Sequence, residues 1–178
     1  MAVAPADTTT VSQPVVTAPP VRESYRVKLP DGVELDALRG GIEEKLVLFL
    51  GSDWRGLTAD SLKKVWFDFD DLNFETGSST ITPASMRQVN NIVAIMKAFP
   101  NVKFKVGGYT DKVGDDAGNK KLSQDRADAV AAALTNAGAD KSRIMGAEGY
   151  GEQYATVPET ATDDARRVDR RISLSVRK

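Results

Sequence analysis

The chain has 178 residues, of which 41% are hydrophobic, and its 24 Lys and Arg residues nearly balance 25 Asp and Glu residues. This length suits one ordinary domain with an added segment, and the balanced charge argues against nucleic acid as a partner. Because Cys and His are absent, thiolate nucleophiles, disulfides, imidazole bases and the usual zinc ligands are excluded, and we expect neither a metal nor a cofactor.

The first 22 residues have the composition of a flexible tether. They are rich in Ala, Val, Thr and Pro, and their prolines oppose regular pairing. We therefore predict that residues 1–22 are disordered. No segment approaches the roughly 20 apolar residues of a membrane span, and the start lacks the apolar core of a signal peptide. We expect any export signal or membrane anchor to be absent from this chain.

Residues 23–62 predict a small β-hairpin followed by a helix. Alternating apolar residues flank a turn signal, Pro-Asp-Gly, at residues 30–32. In residues 42–50 the apolar positions recur on one helical face. A segment this small cannot bury a core alone, so we expect it to form a subdomain that packs on the rest of the chain.

Residues 63–178 predict an α+β domain. Helical patterns predict a helix capped by Thr82, a second helix that ends at Gly138, and a short helix from Asp163. Near Asp70 the apolar residues shift from odd-numbered to even-numbered positions, so they would face opposite sides of one strand. This shift predicts a break in the first strand. Period-two patterns predict strands near residues 65–69, 102–106 and 172–176, and the glycine-rich residues 144–149 are predicted as a further strand. This order indicates a two-layer α/β sandwich, with a mixed four-stranded sheet and helices on one face.

Four sequence elements resemble the OmpA-like peptidoglycan-binding family. Residues 107–134, GGYTDKVGDDAGNKKLSQDRADAVAAAL, are similar to its pattern of G-H-T-D, a glycine-containing loop and N-x-x-L-S-x-x-R-A. FETGSSTITP upstream, and GYG and DRRISL downstream, resemble further elements in the same order. Tyr109 stands where His is common, and Asp169 replaces the Asn of N-R-R-V. The whole chain also resembles OmpA-family outer-membrane lipoproteins of the Bacteroidetes type.

The resemblance implies a ligand, the diaminopimelate residue of the peptidoglycan stem peptide. It also implies a place on the periplasmic side of the outer membrane, where such binding tethers that membrane to the cell wall. The free end of diaminopimelate carries one ammonium and one carboxylate. Asp111 is implied to accept from the ammonium, and Arg126 to hold the carboxylate with two parallel hydrogen bonds. A helix start near Gly118 would add amides that favour a bound carboxylate.

Further ligand contacts are implied by the same resemblance. Arg170 and Arg171 begin the last strand, and strand alternation lets only one of them face the site. For Leu122 and Phe74, core packing is the alternative. For Asp111 and Arg126, the alternative is that they pair with each other and fix the loop. The other implied residues supply polar contacts, an apolar wall and a border of the pocket: Thr110, Asn119, Leu122, Phe74, Glu75, Thr76 and Gly77.

Two other functions compete with wall binding. Asp111, Asp115 and Asp116 form a carboxylate cluster that a cell-wall hydrolase or a cation site would need. The cluster lacks calcium-loop spacing, and Asp- and Gly-rich loops are usually solvated turns, so we do not expect an enzyme. The second alternative is an interaction or structural module of the cell envelope, in which residues 23–62 bind an envelope protein.

Overall fold

A computed structural model of the chain describes residues 22–178. The predicted disorder of the tether therefore falls, except for Arg22, outside the described residues. Within residues 22–178, no helix combines the length and apolar character needed to cross a membrane. The division of the chain at residues 22 and 62 stays a prediction.

The segment after the tether forms the expected hairpin and helix. Strands β1 (Ser24–Lys28) and β2 (Glu34–Leu38) pair antiparallel. Gly32, with a φ of 90°, supplies the left-handed position that the turn between them requires. Helix α1 (Ile42–Gly51) buries its apolar face, and a 3₁₀ turn and the short helix α2 (Ala59–Leu62) lead to the sheet.

The main sheet has four strands, as predicted, and is mixed. They are β3 (Phe67–Asp68), β4 (Lys103–Tyr109), β5 (Ile144–Gly149) and β6 (Arg171–Arg177). Their order is β3-β6-β4-β5, with β4 and β5 parallel and the other pairs antiparallel. Strand β3 is only two residues long, because the chain bends at Asp70 and Asp71, where the change of parity predicted a break. The predicted α+β sandwich is confirmed.

The remaining α-helices of the described residues are α3 (Met86–Ala98), α4 (Asp116–Asn136) and α5 (Asp163–Arg166). Thr82 lies at the N-cap position of a 3₁₀ turn at residues 83–85 rather than of α3, and its side chain makes no capping hydrogen bond, which corrects the predicted start of that helix. Helix α4 begins two residues before the expected start at Gly118, because the Asp115 carboxylate accepts a 2.8 Å hydrogen bond from the Gly118 amide. Beyond its last turn, Gly138 has the positive φ typical of such an end.

Helices α3 and α4 cover one face of the sheet. The side chains of Phe104, Val106, Leu174 and Val176 are fully buried between the layers. On the opposite face Ser173 and Ser175 are buried too, because the chain around residues 62–68 crosses over β6 and accepts their hydroxyl hydrogen bonds. The central strand is therefore covered on both sides.

The N-terminal segment packs on α3 through apolar residues and through a buried polar seam of Glu43, Asp70, Gln88 and Asn91. The two Glu43 carboxyl oxygens accept from the Gln88 and Asn91 side-chain amides at 3.2 and 2.9 Å. Asp70 accepts from Gln88 at 3.0 Å and from the Ile42 amide at 2.9 Å. Because buried polar groups are costly unless they are paired, this seam fixes how the hairpin and α1 sit on the sheet domain.

Candidate functional site

A cavity of about 590 Å³ lies between residues 72–77, the middle of α4 and residues 163–172. We call it the arginine cavity, because four guanidinium groups line it against one carboxylate, that of Asp163. Such a surplus of positive charge favours an anionic ligand. Six of the residues predicted from the family resemblance lie in its wall: Phe74, Thr76, Gly77, Arg126, Arg170 and Arg171.

Arg126 enters the arginine cavity from α4. Its Nε donates to the Ser78 carbonyl at 3.0 Å, and its guanidinium carbon lies 4.9 Å from the centre of the Phe74 ring. Among residues 22–178 no carboxylate forms an ion pair with it. Partial burial lowers the pKa of Arg126, and the nearby Arg170 guanidinium lowers it further. A half-buried cation without a counter-ion is a natural place for a carboxylate to bind.

Asp111 lies behind the arginine cavity rather than in its wall. It is only 5% exposed, and its Oδ2 accepts from Arg166 at 2.9 Å and from Arg170 at 2.7 Å. Its Oδ1 accepts from the Val113 amide at 3.0 Å. The alternative in which Asp111 pairs with Arg126 is therefore wrong, because other arginines occupy its carboxylate.

Arg170 is held by two carboxylates. It donates to Asp111 and, at 2.9 Å, to Asp163. Burial alone lowers the pKa of Arg170, but the hydrogen bonds to Asp111 and Asp163 outweigh it and raise that pKa. The same contact holds the pKa of Asp163 below its usual range. Asp111 and Asp163 thus aim the Arg170 guanidinium at the cavity.

Arg170 and Arg171 both line the cavity, which corrects the expectation that only one of them faces it. Strand alternation does not apply to this pair, because Arg170 precedes β6 and only Arg171 belongs to it. The Arg171 guanidinium carbon lies 4.3 Å from the centre of the Tyr109 ring, within the range of a cation–π contact.

The remaining predicted residues lie outside the cavity wall. Asn119 donates to the Val113 carbonyl and to Glu152, at 3.1 and 2.7 Å, so it closes the loop between β4 and α4. Thr110 is buried, and its hydroxyl has no partner among the described residues. Leu122 is half-buried in α4, and Glu75 is exposed beside the cavity. The α4 start is no free anion site, because Asp115 takes the Gly118 amide.

Several residues of the site were not identified from sequence. The segment DDARRVDRR places four arginines between positions 166 and 171, and that density was a visible signal. Its short helix was predicted, but no binding role was assigned to it. The cavity residues missed in this way are Leu72, Asn73, Tyr109, Asp163, Arg167 and Ile172, together with Arg166 behind the wall.

Asp169, which replaces the Asn of the family pattern, serves the adjacent loop. Its Oδ1 and Oδ2 accept from the amides of Thr156 and Val157 at 3.0 and 2.9 Å. Burial raises the pKa of Asp169, but these hydrogen bonds hold it below its usual range. Both oxygens of a carboxylate are used here, so the loop at residues 150–162 is fixed against the start of β6.

The carboxylate cluster that a hydrolase would need is not assembled. Asp111 is paired with arginines, and Asp115 caps α4. Across residues 22–178 there is no group of three or more acidic side chains placed to hold a metal ion.

Known bacterial proteins with similar sequences include an outer membrane porin and a probable lipoprotein. Outer membrane porin F of Pseudomonas fluorescens is 42% identical over 106 residues, which are 60% of this chain and 32% of the porin. The probable lipoprotein YiaD of Escherichia coli is 32% identical over 107 residues, which are 60% of this chain and 48% of YiaD. The chain thus matches less than half the length of these relatives.

A solved structure shows the same fold. The crystal structure of the peptidoglycan-associated lipoprotein from Burkholderia pseudomallei aligns with 60% of this chain and 89% of its own, with a TM-score of 0.53 and 22% identity. The model of the OmpA family matches residues 73–170, more than half of the sequence. The chain belongs to the OmpA family.

Proposed function

We propose that this protein binds peptidoglycan non-covalently in the cell envelope, through the diaminopimelate residue of the stem peptide. One observation carries the proposal: Arg126 is half-buried in a cavity rich in arginine and has no ion-pair partner among residues 22–178. Family membership, relatives named as outer-membrane proteins, and a structural neighbour named as peptidoglycan-associated support the same ligand.

The carboxylate of diaminopimelate would bind Arg126. The guanidinium nitrogens not engaged by Ser78 offer a planar pair of donors that matches the two oxygens of a carboxylate. Arg170 and Arg171 add positive charge on the opposite wall. A ligand carboxylate would therefore supply the counter-ion that residues 22–178 do not place at Arg126.

The ammonium of diaminopimelate would need an acid. Asp163 lies in the cavity wall and is 71% exposed, whereas Asp111 is engaged by two arginines. In this proposal the ammonium contacts Asp111 by displacing one of those guanidinium groups, and Asp163 supports it from the cavity side. The displaced arginine remains paired, because Arg170 also donates to Asp163 and Arg166 lies 3.5 Å from it.

In the cell, this binding would tether the outer membrane to the wall from the periplasmic side. The protein would act without catalysis, since binding needs only the fixed charges of the cavity. Membrane fractionation of cells that express the protein, before and after the wall is digested, tests the location separately from the binding.

Binding is tested with purified sacculi. Wild-type protein should sediment with them, and Arg126→Ala should lose about one to two orders of magnitude in affinity, because a charge-assisted hydrogen bond contributes about 1.5 to 3 kcal/mol. The matched control is Arg26→Ala, which removes a 67% exposed arginine from the hairpin. If Arg126→Ala bound as well as the control, the carboxylate site would lie elsewhere. If wild-type protein did not sediment, peptidoglycan binding itself would be refuted.

A further inference from the structure

A second groove of about 590 Å³ crosses the face of the sheet that lies opposite α3 and α4. Along β4 and β6 it is built from the side chains that alternate with the core residues, including Lys105 and Ser173. Four aromatic side chains line it: Trp66, Tyr109, Tyr150 and Tyr154. We call it the aromatic groove.

The aromatic rings are held in fixed positions. Tyr109 and Tyr150 stack with their centres 5.1 Å apart, and Trp66 meets both edge-on at 6.3 and 6.0 Å. Trp66 lies over Gly107, where a Cβ atom would come within 2.8 Å of its ring, so glycine is needed beneath the indole. Tyr154 meets Tyr150 at 5.6 Å and is 51% exposed. The groove therefore presents aromatic surface that requires little ordering on binding.

Hydrogen-bond donors surround these rings. Lys105 pairs with Glu148 at 2.5 Å, the Arg177 guanidinium lies 5.5 Å from the Trp66 ring, and Lys63 is exposed at the edge. An aromatic wall edged by polar donors suits a ligand with an apolar face and a polar rim. A pyranose ring has this form, with C–H groups on its faces and with hydroxyl and acetamide oxygens around its edge.

The aromatic groove adjoins the arginine cavity. Tyr109 and Arg171 line both of them and form the boundary between the two. Along β4, the four-residue step from Tyr109 to Lys105 covers about 13 Å at roughly 3.3 Å per residue. Three residues of an extended peptide backbone span about 10 Å, and the diaminopimelate side chain adds to this reach. A peptide anchored in the arginine cavity would therefore bring its attached sugar to the near end of the groove.

We propose that the aromatic groove binds the N-acetylated sugars of the glycan strand next to the stem peptide, and this inference rests on the proposed function. The peptide carboxylate is held at Arg126, and the sugar ring packs on Tyr154 and Trp66. The two sites together recognise a muropeptide rather than a peptide alone.

Two ligands that share one peptide test the inference. They are the tripeptide L-alanine, D-glutamate and diaminopimelate, and the same tripeptide attached to its N-acetylated disaccharide. Isothermal titration should show that wild-type protein binds the disaccharide form about three- to tenfold more tightly, as one aromatic contact contributes. Tyr154→Ala, in an exposed position, should abolish that preference and leave the tripeptide affinity unchanged.

Three further variants make the result decisive. Trp66→Ala should act like Tyr154→Ala, Arg126→Ala should weaken both ligands equally, and Met145→Ala, at a 56% exposed position on edge strand β5, should change neither. Equal wild-type affinity for the two ligands, or a preference that survives Tyr154→Ala, would overturn the glycan site and leave the peptide site standing. If wild-type protein bound neither ligand, the proposed function would be refuted, and the glycan site with it.

Discussion

Replacing Arg126 by lysine separates the charge of this residue from its geometry. Lysine keeps a positive charge in the arginine cavity but loses the Nε hydrogen bond to Ser78 and the planar pair of donors. Its ammonium can still approach the Phe74 ring, so a cation–π contact of about 0.5 to 1 kcal/mol is largely kept. The variant therefore isolates the two-pronged contact with a ligand carboxylate.

The expected loss follows from the number of hydrogen bonds. One charge-assisted hydrogen bond of about 1.5 to 3 kcal/mol disappears, which lowers the affinity by about ten- to a hundredfold. Stability should fall by about 1 kcal/mol, because the hydrogen bond from Nε to Ser78 is lost while the positive charge is kept.

Two measurements check this prediction. Titration with the diaminopimelate tripeptide gives the affinity, and urea unfolding gives the stability of the same preparation. Arg26→Lys, at an exposed arginine of the hairpin, is the control for the loss of a guanidinium. If Arg126→Lys bound the tripeptide with wild-type affinity, the positive charge alone would be sufficient for binding. That result would refute a two-pronged contact between Arg126 and the ligand carboxylate.

Three other perturbations test the framework around the site. Glu43→Gln should cost about 1 to 3 kcal/mol in urea unfolding, because one of the two accepting oxygens becomes an NH2 donor that faces the side-chain amide donor of either Gln88 or Asn91; unchanged stability would show that the polar seam is dispensable. Asp111→Ala should cost about 1 to 3 kcal/mol by the same assay, since it removes the carboxylate shared by two half-buried arginines and leaves them only their contacts with Asp163, and a stable variant would contradict this. Because the pKa of Asp169 is depressed in the folded protein, its contribution to the free energy of unfolding is present above about pH 4 and is lost as the pH falls through the folded-state pKa. Asp169→Asn should therefore be less stable than wild type at pH 7, and its stability should depend less on pH below about pH 4. Parallel curves of stability against pH for the two proteins would argue against this.

The prediction for Asp111 shows why its variants need care. The buried carboxylate of Asp111 holds Arg170 in position. Loss of binding in Asp111→Ala could therefore result from the lost contact with the ligand or from a displaced Arg170 in the cavity wall. A binding assay on this variant is informative only when the free energy of unfolding of the same variant is also measured. Arg126, which makes no ion pair among residues 22–178, gives the cleaner test of the site.

Local sequence patterns predicted the architecture because the elements depend on near neighbours. The strand predicted at residues 144–149 and the shift of the apolar residues near Asp70 correspond to β5 and to the end of β3. The early start of α4 was also readable, since Asp115 three residues before Gly118 is a typical helix cap. The predicted start at Gly118 was wrong because the cap residue was assigned to the loop.

The pairing inside the site could not be predicted in the same way. Asp111 meets Arg166 and Arg170 across 55 and 59 positions, and Glu43 meets Gln88 across 45 positions. No periodicity links charges so far apart, and a first-turn glutamate normally indicates a solvent-facing helix start. Only the fold decides which arginine reaches which carboxylate.

The distribution of partners explains why Arg126 rather than Arg170 is the better carboxylate receptor. Arg170 already shares its guanidinium between Asp111 and Asp163, so a ligand would have to compete with two fixed anions. Arg126 has given one donor to a neutral carbonyl and keeps the others for the cavity. Arg170 thus supports the cavity wall, whereas Arg126, which makes no ion pair among residues 22–178, faces the cavity. A ligand that lacks a free carboxylate should therefore lose its contact with Arg126, while its ammonium keeps its contact with Asp111.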